Sequence, residues 1–330
     1  MWSRIFSIFK ARNLEFFRDR SSLGWAFLFP FFIVLGFSFM QSGQSKIFNV
    51  GYAGALSTDF SSKVESLKAI NLFEVPLPES EKKIAWQQLD LFIDLDKKEI
   101  LYNEKSTKYE IILSALNLND HSLKAVNDNA IRYVDWLFPG VIGMNMMFAA
   151  LFGIGYVIVR YRKNGVLKRF NATPMTAFEF LTAQLVSRLF IVLFTSSVIY
   201  FGCSWMLGLK TEGSFAHVLL LFTVTALSLM SLGLLVASRI KSEEFAGGLL
   251  NMLTWPMMFL TGVWFSTDNF HPILKAISKA IPLTQSITAL RMVLLEGKGF
   301  ADISGAVVYN LGFALVIMLI SSFLFKWTEE

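Results

Sequence analysis

The chain has a single cysteine, Cys203, and it lies inside an apolar run. No disulfide can form within the chain, so any folded domain must be held by its own core. A lone cysteine in such a setting reads as an inert, small apolar residue. The three histidines, His121, His217 and His271, are scattered without ligand spacing, which speaks against a metal site. No G-x-x-x-x-G-K-[ST] occurs, so there is no sign of a phosphate-binding P-loop. No cluster of Ser, His and Asp suggests a hydrolase. Charge is scarce as well: 17% of residues are Asp, Glu, Lys or Arg, against roughly 25% in ordinary soluble domains. Acidic residues are missing from the middle of every long apolar run, where ion-coupled transporters keep their relays. That counts against a self-powered secondary transporter. The net charge of +5 is no nucleic-acid signature, because Lys and Arg gather at the edges of apolar runs and in one polar region.

Apolar sequence is what the chain has in excess: 54% of it is hydrophobic, with 33 phenylalanines. Six runs approach the ~20 residues a bilayer needs. They are 21–42, 136–159, 182–207, 216–237, 245–265 and 304–325. This predicts a polytopic α-helical membrane protein with six transmembrane helices. The first run is too long for a signal-peptide core, and no A-x-A-like site follows, so it reads as a retained anchor. Before it, residues 1–20 place Trp2, Ile5, Phe6 and Phe9 on one helical face beside Arg4, Lys10, Arg12, Arg18 and Arg20. That suits a cytoplasmic amphipathic helix lying in the membrane interface; an unstructured basic lead is the alternative. The basic N-terminus, the Arg- and Lys-rich loop at 160–181 and an even number of spans place both termini in the cytoplasm.

Residues 43–133 form a polar island with changing periodicity. Phe48, Val50 and Tyr52 alternate, as do Leu91, Ile93 and Leu95, and Glu99 to Asn103 reads as a further strand. Helical spacing recurs at Phe60, Val64 and Leu67, at Ile84 and Leu89, and at Tyr109, Ile112 and Leu116. Strands alternating with helices predict a small α/β extracytoplasmic domain between the first and second transmembrane helices. A last helix through Leu123, Val126, Ala130 and Val134 is expected to run into the second span. The remainder, 134–330, carries helices 2–6. Within it, 266–302 holds Pro282 and four basic residues and reads as helices dipping into the outer leaflet as a re-entrant segment.

The loop after the second span carries the sharpest local pattern. Thr173 precedes Pro174 and is biased to extended geometry, so a helix ends near Asn171. In the stretch from Asn164, Val166, Leu167 and Phe170 share one face, while Lys168 and Arg169 take another. Thr176 and Glu179 then have capping-box spacing before the third span. A short amphipathic helix between two spans is a good knob for a partner's socket; a solvated basic loop is the plainer alternative. Inside the third span, Arg188 reads as a side chain that snorkels back to the cytoplasmic interface. Asn145, Gln184, Ser228, Ser231 and Asn251 read as contacts between helices.

Two stretches taken together resemble one family. The loop YRKNGVLKRFNATPMTAFEFLTAQ, from Tyr161, is similar to a family pattern of basic residue, Gly, Thr or Val, then Leu and Thr-Pro. The stretch FLTGVWFSTDNFHPILKAISKAIPLTQSITALRMVLLEG, from Phe259 to Gly297, is similar to a pattern of Phe-Leu-Ser-Gly-Val, Leu-Pro-Leu-Thr and Ala-Leu-Arg. In this order and topology they resemble the membrane subunit of ATP-binding-cassette (ABC) exporters of the type-2 permease class with a large external domain. Lys163 and Asn164 stand where that family often has a Glu before the Gly, and Ser266-Thr267 where a Pro often follows the aromatic.

The resemblance implies a permease, not an enzyme, in the bacterial inner membrane. Two such chains, identical or related, would form the path for a hydrophobic or amphipathic substrate, drug-like or lipid-linked. ATP and Mg would bind to a separate P-loop ATPase subunit, with no cofactor on this chain. Arg162, Gly165, Val166, Leu167, Lys168, Arg169, Phe170 and Pro174 would couple to that ATPase. Phe27, Phe31, Trp255 and Phe259 would line the substrate path. Some members of the family work with a periplasmic adaptor and an outer-membrane channel. A reading from a different class is a membrane-anchored receptor or scaffold whose external domain binds a ligand or partner; it leaves the Gly165–Pro174 loop without a role.

Overall fold

The computed structural model describes residues 2–40, 48–54, 70–85, 89–103, 108–116, 121–126, 132–173, 176–209, 211–240, 242–267 and 270–324. The expected helix through Phe60, Val64 and Leu67 lies outside them. The chain divides into two compact units, one made of 1–35 with 137–330 and the other of 36–136.

The smaller unit is built on a five-stranded sheet. Its strands are β1 (Phe48–Ala53), β2 (Ile70–Glu74), β3 (Leu91–Asp94), β4 (Glu99–Tyr102) and β5 (Ser122–Ala125), in the order β2-β1-β3-β4-β5. β1 pairs in parallel with β2 and β3, β3 and β4 form an antiparallel hairpin, and β4 pairs in parallel with β5. The hairpin turn is local chemistry: the Asp94 carboxylate accepts from the backbone N–H groups of Asp96 and Lys97 at 3.1 and 3.0 Å. Period-2 alternation splits the sheet into two apolar faces. Leu91, Ile93 and Ile100 meet Ile112 and Leu116 of α4 (Lys108–Leu116); Phe92 and Leu101 meet Ile84 of α3 (Leu77–Ala85). The segment at Leu123 departs from the expected helix. Its register against Glu99–Tyr102 draws Ser122–Ala125 into the sheet as an edge strand, leaving Leu123 half exposed. Helical spacing lost there to a non-local pairing.

The larger unit is helical. Its elements are α1 (Trp2–Arg18), α2 (Arg20–Met40), α5 (Tyr133–Leu151), a π-helical turn (Phe152–Tyr156), α6 (Val157–Lys163), α7 (Val166–Asn171), α8 (Ala177–Leu207), α9 (Phe215–Arg239), α10 (Glu243–Leu260), α11 (Pro272–Ala280), α12 (Pro282–Glu296) and α13 (Phe300–Leu324). Among the described residues four helical stretches are long and apolar enough to cross a membrane: Tyr133–Lys163, Glu179–Leu207, Phe215–Arg239 and Phe300–Leu324. A fifth is reached if α1 and α2, bent by 60° at their junction, are counted together. The run expected as a span at 245–265 behaves differently. Its helix α10 has 18 residues, opens on Glu243-Glu244, contains Pro256 and stops at Leu260, where Gly262 turns the chain with φ +74°. At 1.5 Å per residue it is about 27 Å long, short of the ~30 Å hydrocarbon core.

Buried polar groups tie the helices together. Asn145 donates to the Ala26 carbonyl at 3.0 Å, joining α5 to α2. The Asn310 side-chain oxygen accepts from Ser228 at 2.9 Å and Ser286 at 3.2 Å, joining α13 to α9 and α12. Ser231 and Asn251, expected as inter-helix contacts, bond back to carbonyls of their own helices instead. The amphipathic helix α1 packs on α8 through Phe9–Phe190 and Phe17–Phe194 ring pairs. Its buried side chains include Ile5 and Ile8, while Trp2 and Phe6 stay exposed.

Candidate functional site

The loop between the second and third spans is built from its local sequence. Asn164 ends α6, and Gly165 reverses the chain at φ +68°, a left-handed conformation that side chains rarely adopt. α7 follows as a six-residue helix, and the Thr173 hydroxyl closes it by donating to the Phe170 carbonyl at 2.6 Å. The capping box at the start of α8 is formed in full. Thr176 accepts from the Glu179 N–H at 3.2 Å, and the Glu179 carboxylate accepts from the Thr176 N–H at 2.9 Å.

A helix this short has little stability of its own, since isolated helices under ~12 residues are marginal in water. Side chains of the same chain hold it. Leu167 is 0% exposed. Phe170, half-buried, lies against Phe180 with ring centroids 5.4 Å apart. Arg162 is buried and donates to the Ile240 carbonyl at 2.5 Å and the Ser238 carbonyl at 3.4 Å. The sequence pattern offers Leu167 as an anchor that enters a partner's cleft; in the chain by itself the side chain is buried in the chain's own interior. Arg162 is likewise a strut to the end of α9. Val166 and Gly165 are half-buried, and the face left outward is basic, with Lys163, Lys168 and Arg169 all exposed. Pro174 lies outside the described residues.

Two polar networks flank the loop. On one side Glu15 of α1 accepts from Arg12 at 2.6 Å, Tyr161 at 3.0 Å and Arg160 at 3.3 Å. On the other, Glu243 accepts from Tyr156 at 2.9 Å, and Lys163 pairs with Glu244 at 3.2 Å. Glu244 is held down to about 2, first by the Ser242 hydroxyl, then by its own helix's amide and by Lys163. Its folded value lies below the ordinary 4.5, so this stabilisation is present above that value and is lost as pH falls towards 2. Lys163 and Glu244 therefore both stay charged throughout the neutral range. The sequence reading missed these networks; the Ser242-Glu243-Glu244 start of α10 was the available signal, an acidic first turn opposite a basic loop.

The aromatic residues named for a substrate path fall on two helices. Trp255 and Phe259 of α10 are exposed and stack at 6.5 Å, while Phe27 and Phe31 of α2 are half-buried. After α10, Arg291 donates to the Gly262 carbonyl at 2.7 Å and pins the turn. The segment 266–302 forms two short helices, α11 and α12, separated at Ile281-Pro282, with α12 largely buried. Among the described residues no group of three or more His, Cys, Asp and Glu side chains is placed to hold a metal ion.

The family profile described as "ABC-2 type transporter" matches residues 105–295, which includes the loop, the turn at Gly262 and all but the last residue of α12. The chain belongs to the ABC-2 type transporter family. Relatives of this chain are distant. It is 22% identical over 163 residues to the "Probable multidrug ABC transporter permease YbhS" of Escherichia coli K12, covering 49% of this chain and 43% of that one. It is 22% identical over 176 residues to the "Linearmycin resistance permease protein LnrN" of Bacillus subtilis, covering 53% and 46%. It is 21% identical over 269 residues to the "Probable multidrug ABC transporter permease YbhR" of E. coli K12, covering 77% and 71%. The match thus spans less than half the length of YbhS and of LnrN. The two networks tie the loop region to α1 on one side and to α10 on the other.

Proposed function

We propose that the chain is the membrane subunit of an ABC exporter, driven by a separate ATPase that docks on the loop at Lys163–Thr173. Two permease chains, identical or related, form the path. The observation that carries this reading is the family match across 105–295 joined to a braced loop with an outward basic face. The docking contact is electrostatic at its surface: Lys168 and Arg169 meet acidic groups of the ATPase, while Leu167 and Phe170 keep the helix in place. The relatives' names, multidrug permease and linearmycin resistance permease, support a hydrophobic or amphipathic small-molecule cargo. The exposed Trp255–Phe259 pair on α10 suits the wall of such a path. We take α10 and its Gly262 turn as the fifth of six spans, both termini as cytoplasmic, and the α/β unit as extracytoplasmic, in an inner membrane.

ATP hydrolysis tests the subunit assignment. The purified chain in lipid is expected to release no phosphate above background, and hydrolysis coupled to export is expected only after its ATPase is added. Robust turnover by the chain alone overturns the assignment. Sidedness is tested with cysteines at two exposed lysines. Lys97→Cys, in the β3–β4 turn, is expected to react with an impermeant thiol reagent in cells whose outer barrier is opened. Lys168→Cys is expected to react only after the cytoplasmic membrane is breached. Cys203 is buried and serves as a silent background. The reverse labelling pattern inverts the topology.

A further inference from the structure

Arg188 is the only basic residue in α8, and its side chain is spent on neighbouring helices. Its guanidinium turns inward, where both Nε, at 2.7 Å, and Nη2 donate to the Ala149 carbonyl of α5. It sits over the Phe16 ring of α1 at 6.0 Å from the centroid. The space it fills is left by Gly153, since a Cβ there would overlap the guanidinium. Gly153 belongs to the π-helical turn Phe152–Tyr156, which starts one residue after Leu151 at the end of α5. A donor inserted into a helix's carbonyl ladder is one of the recognised causes of helix distortion. Single π turns inside α-helices recur at functional positions. A charged side chain within a span is expensive and is retained for a role.

The same turn leads straight to the loop. Gly155 of the turn lies backbone to backbone against Gly233 of α9. Tyr156, its last residue, holds Glu243 of α10, and α6 then runs directly into Gly165. We propose that Arg188 is a positioning residue that fixes the shape of this π-helical turn, and that the turn is the joint through which movement of the loop reaches the second span. The second half rests on the exporter reading given above; the first half does not. Arg188 touches no cargo in this scheme. It fixes the shape of the element that transmits force, as a two-pronged clamp on one carbonyl that a lysine cannot reproduce.

The test uses the full chain, with Arg188→Met, Arg188→Lys and Gly153→Ala, each first checked for monodisperse, helical protein. Hydrogen–deuterium exchange is read over 149–157 in lipid nanodiscs, with 300–324 as the internal reference. Loss of a hydrogen bond to a charged group is expected to speed exchange of 149–157 roughly tenfold or more in Arg188→Met. Gly153→Ala, which keeps the charge but fills its seat, should do the same, and Arg188→Lys should fall between. Combining Arg188→Met with Gly153→Ala should add nothing further. Unchanged exchange in both single variants overturns the clamp, whatever the function of the chain. In proteoliposomes with the ATPase, export per ATP hydrolysed is expected to fall roughly fivefold or more while hydrolysis continues. A residue with only a structural role would lower both in proportion, and that result, or intact export per ATP with raised exchange, overturns the joint. The exchange measurement needs no ATPase, so it decides the clamp even if the exporter reading fails.

Discussion

Leu167→Asp is expected to abolish both ATPase docking and export, and to do so by unfolding the loop. The wild-type side chain is fully buried. Removing it forfeits about 2 kcal/mol of apolar burial, and an unpaired carboxylate in its place costs several more. α7 has six residues and cannot stand alone, so its turns melt. Proteinase K should then cut 164–173 far faster than in the wild type, with the spans intact. Lys168→Glu with Arg169→Glu is expected to reach the same loss of docking by another route. Both side chains are exposed, so the loop keeps its protease resistance. Like-charge juxtaposition across the proposed contact should weaken ATPase binding roughly a hundredfold, with the deficit growing at low salt. Co-purification of the ATPase with each variant, beside the protease assay, separates the two routes. Normal docking by the double charge reversal would remove the basic face from the docking contact. A protease-resistant Leu167→Asp loop would show that Leu167 is not the internal anchor.

Gly233→Val is expected to be among the most damaging single changes in the helix bundle. A Cβ at 233 would lie 2.9 Å from the Leu151 carbonyl oxygen and 3.2 Å from the Gly155 nitrogen. Both neighbours are backbone atoms of the π-turn region, so neither can rotate away. Overpacking of ordinary side-chain cores costs about 1–3 kcal/mol, and a rigid backbone neighbour places this case at or above the upper end. Small residues that let helices touch backbone to backbone are a main source of association inside membranes. The expected result is a large drop in thermal stability in detergent and loss of monodisperse protein. Gly305→Val, on the exposed side of α13 with no atom near its Cβ direction, is the control and should behave as wild type. Equal behaviour of the two variants would show that α9 and the π turn are not locked by that contact.

Local physics made part of this architecture legible from sequence. An apolar run of bilayer length has few alternatives to a helix, because its backbone groups must be satisfied within the segment. The runs that became Tyr133–Lys163, Glu179–Leu207, Phe215–Arg239 and Phe300–Leu324 are of this kind. The break after Asn171 and the cap at Thr176 are written in adjacent residues, as is the alternation at Leu91 to Ile93. Of the two motifs that pointed to the type-2 permease class, the first lies within the stretch that the family profile matches and the second does so up to residue 295. What tertiary structure alone decided is direction and partner. Helical spacing says that Leu167 is buried but not against what, and the answer is the chain's own interior. Arg188 has a stem long enough to reach the interface or a neighbouring helix, and a vacant glycine seat beside a carbonyl draws it inward. Ser122–Ala125 became a strand because β4 offered an unpaired edge from elsewhere in the sequence. The turn at Gly262 that follows α10 is held by Arg291, some thirty residues on. Each of these outcomes depends on a group distant in the chain, and periodicity over a short window carries no information about distant groups.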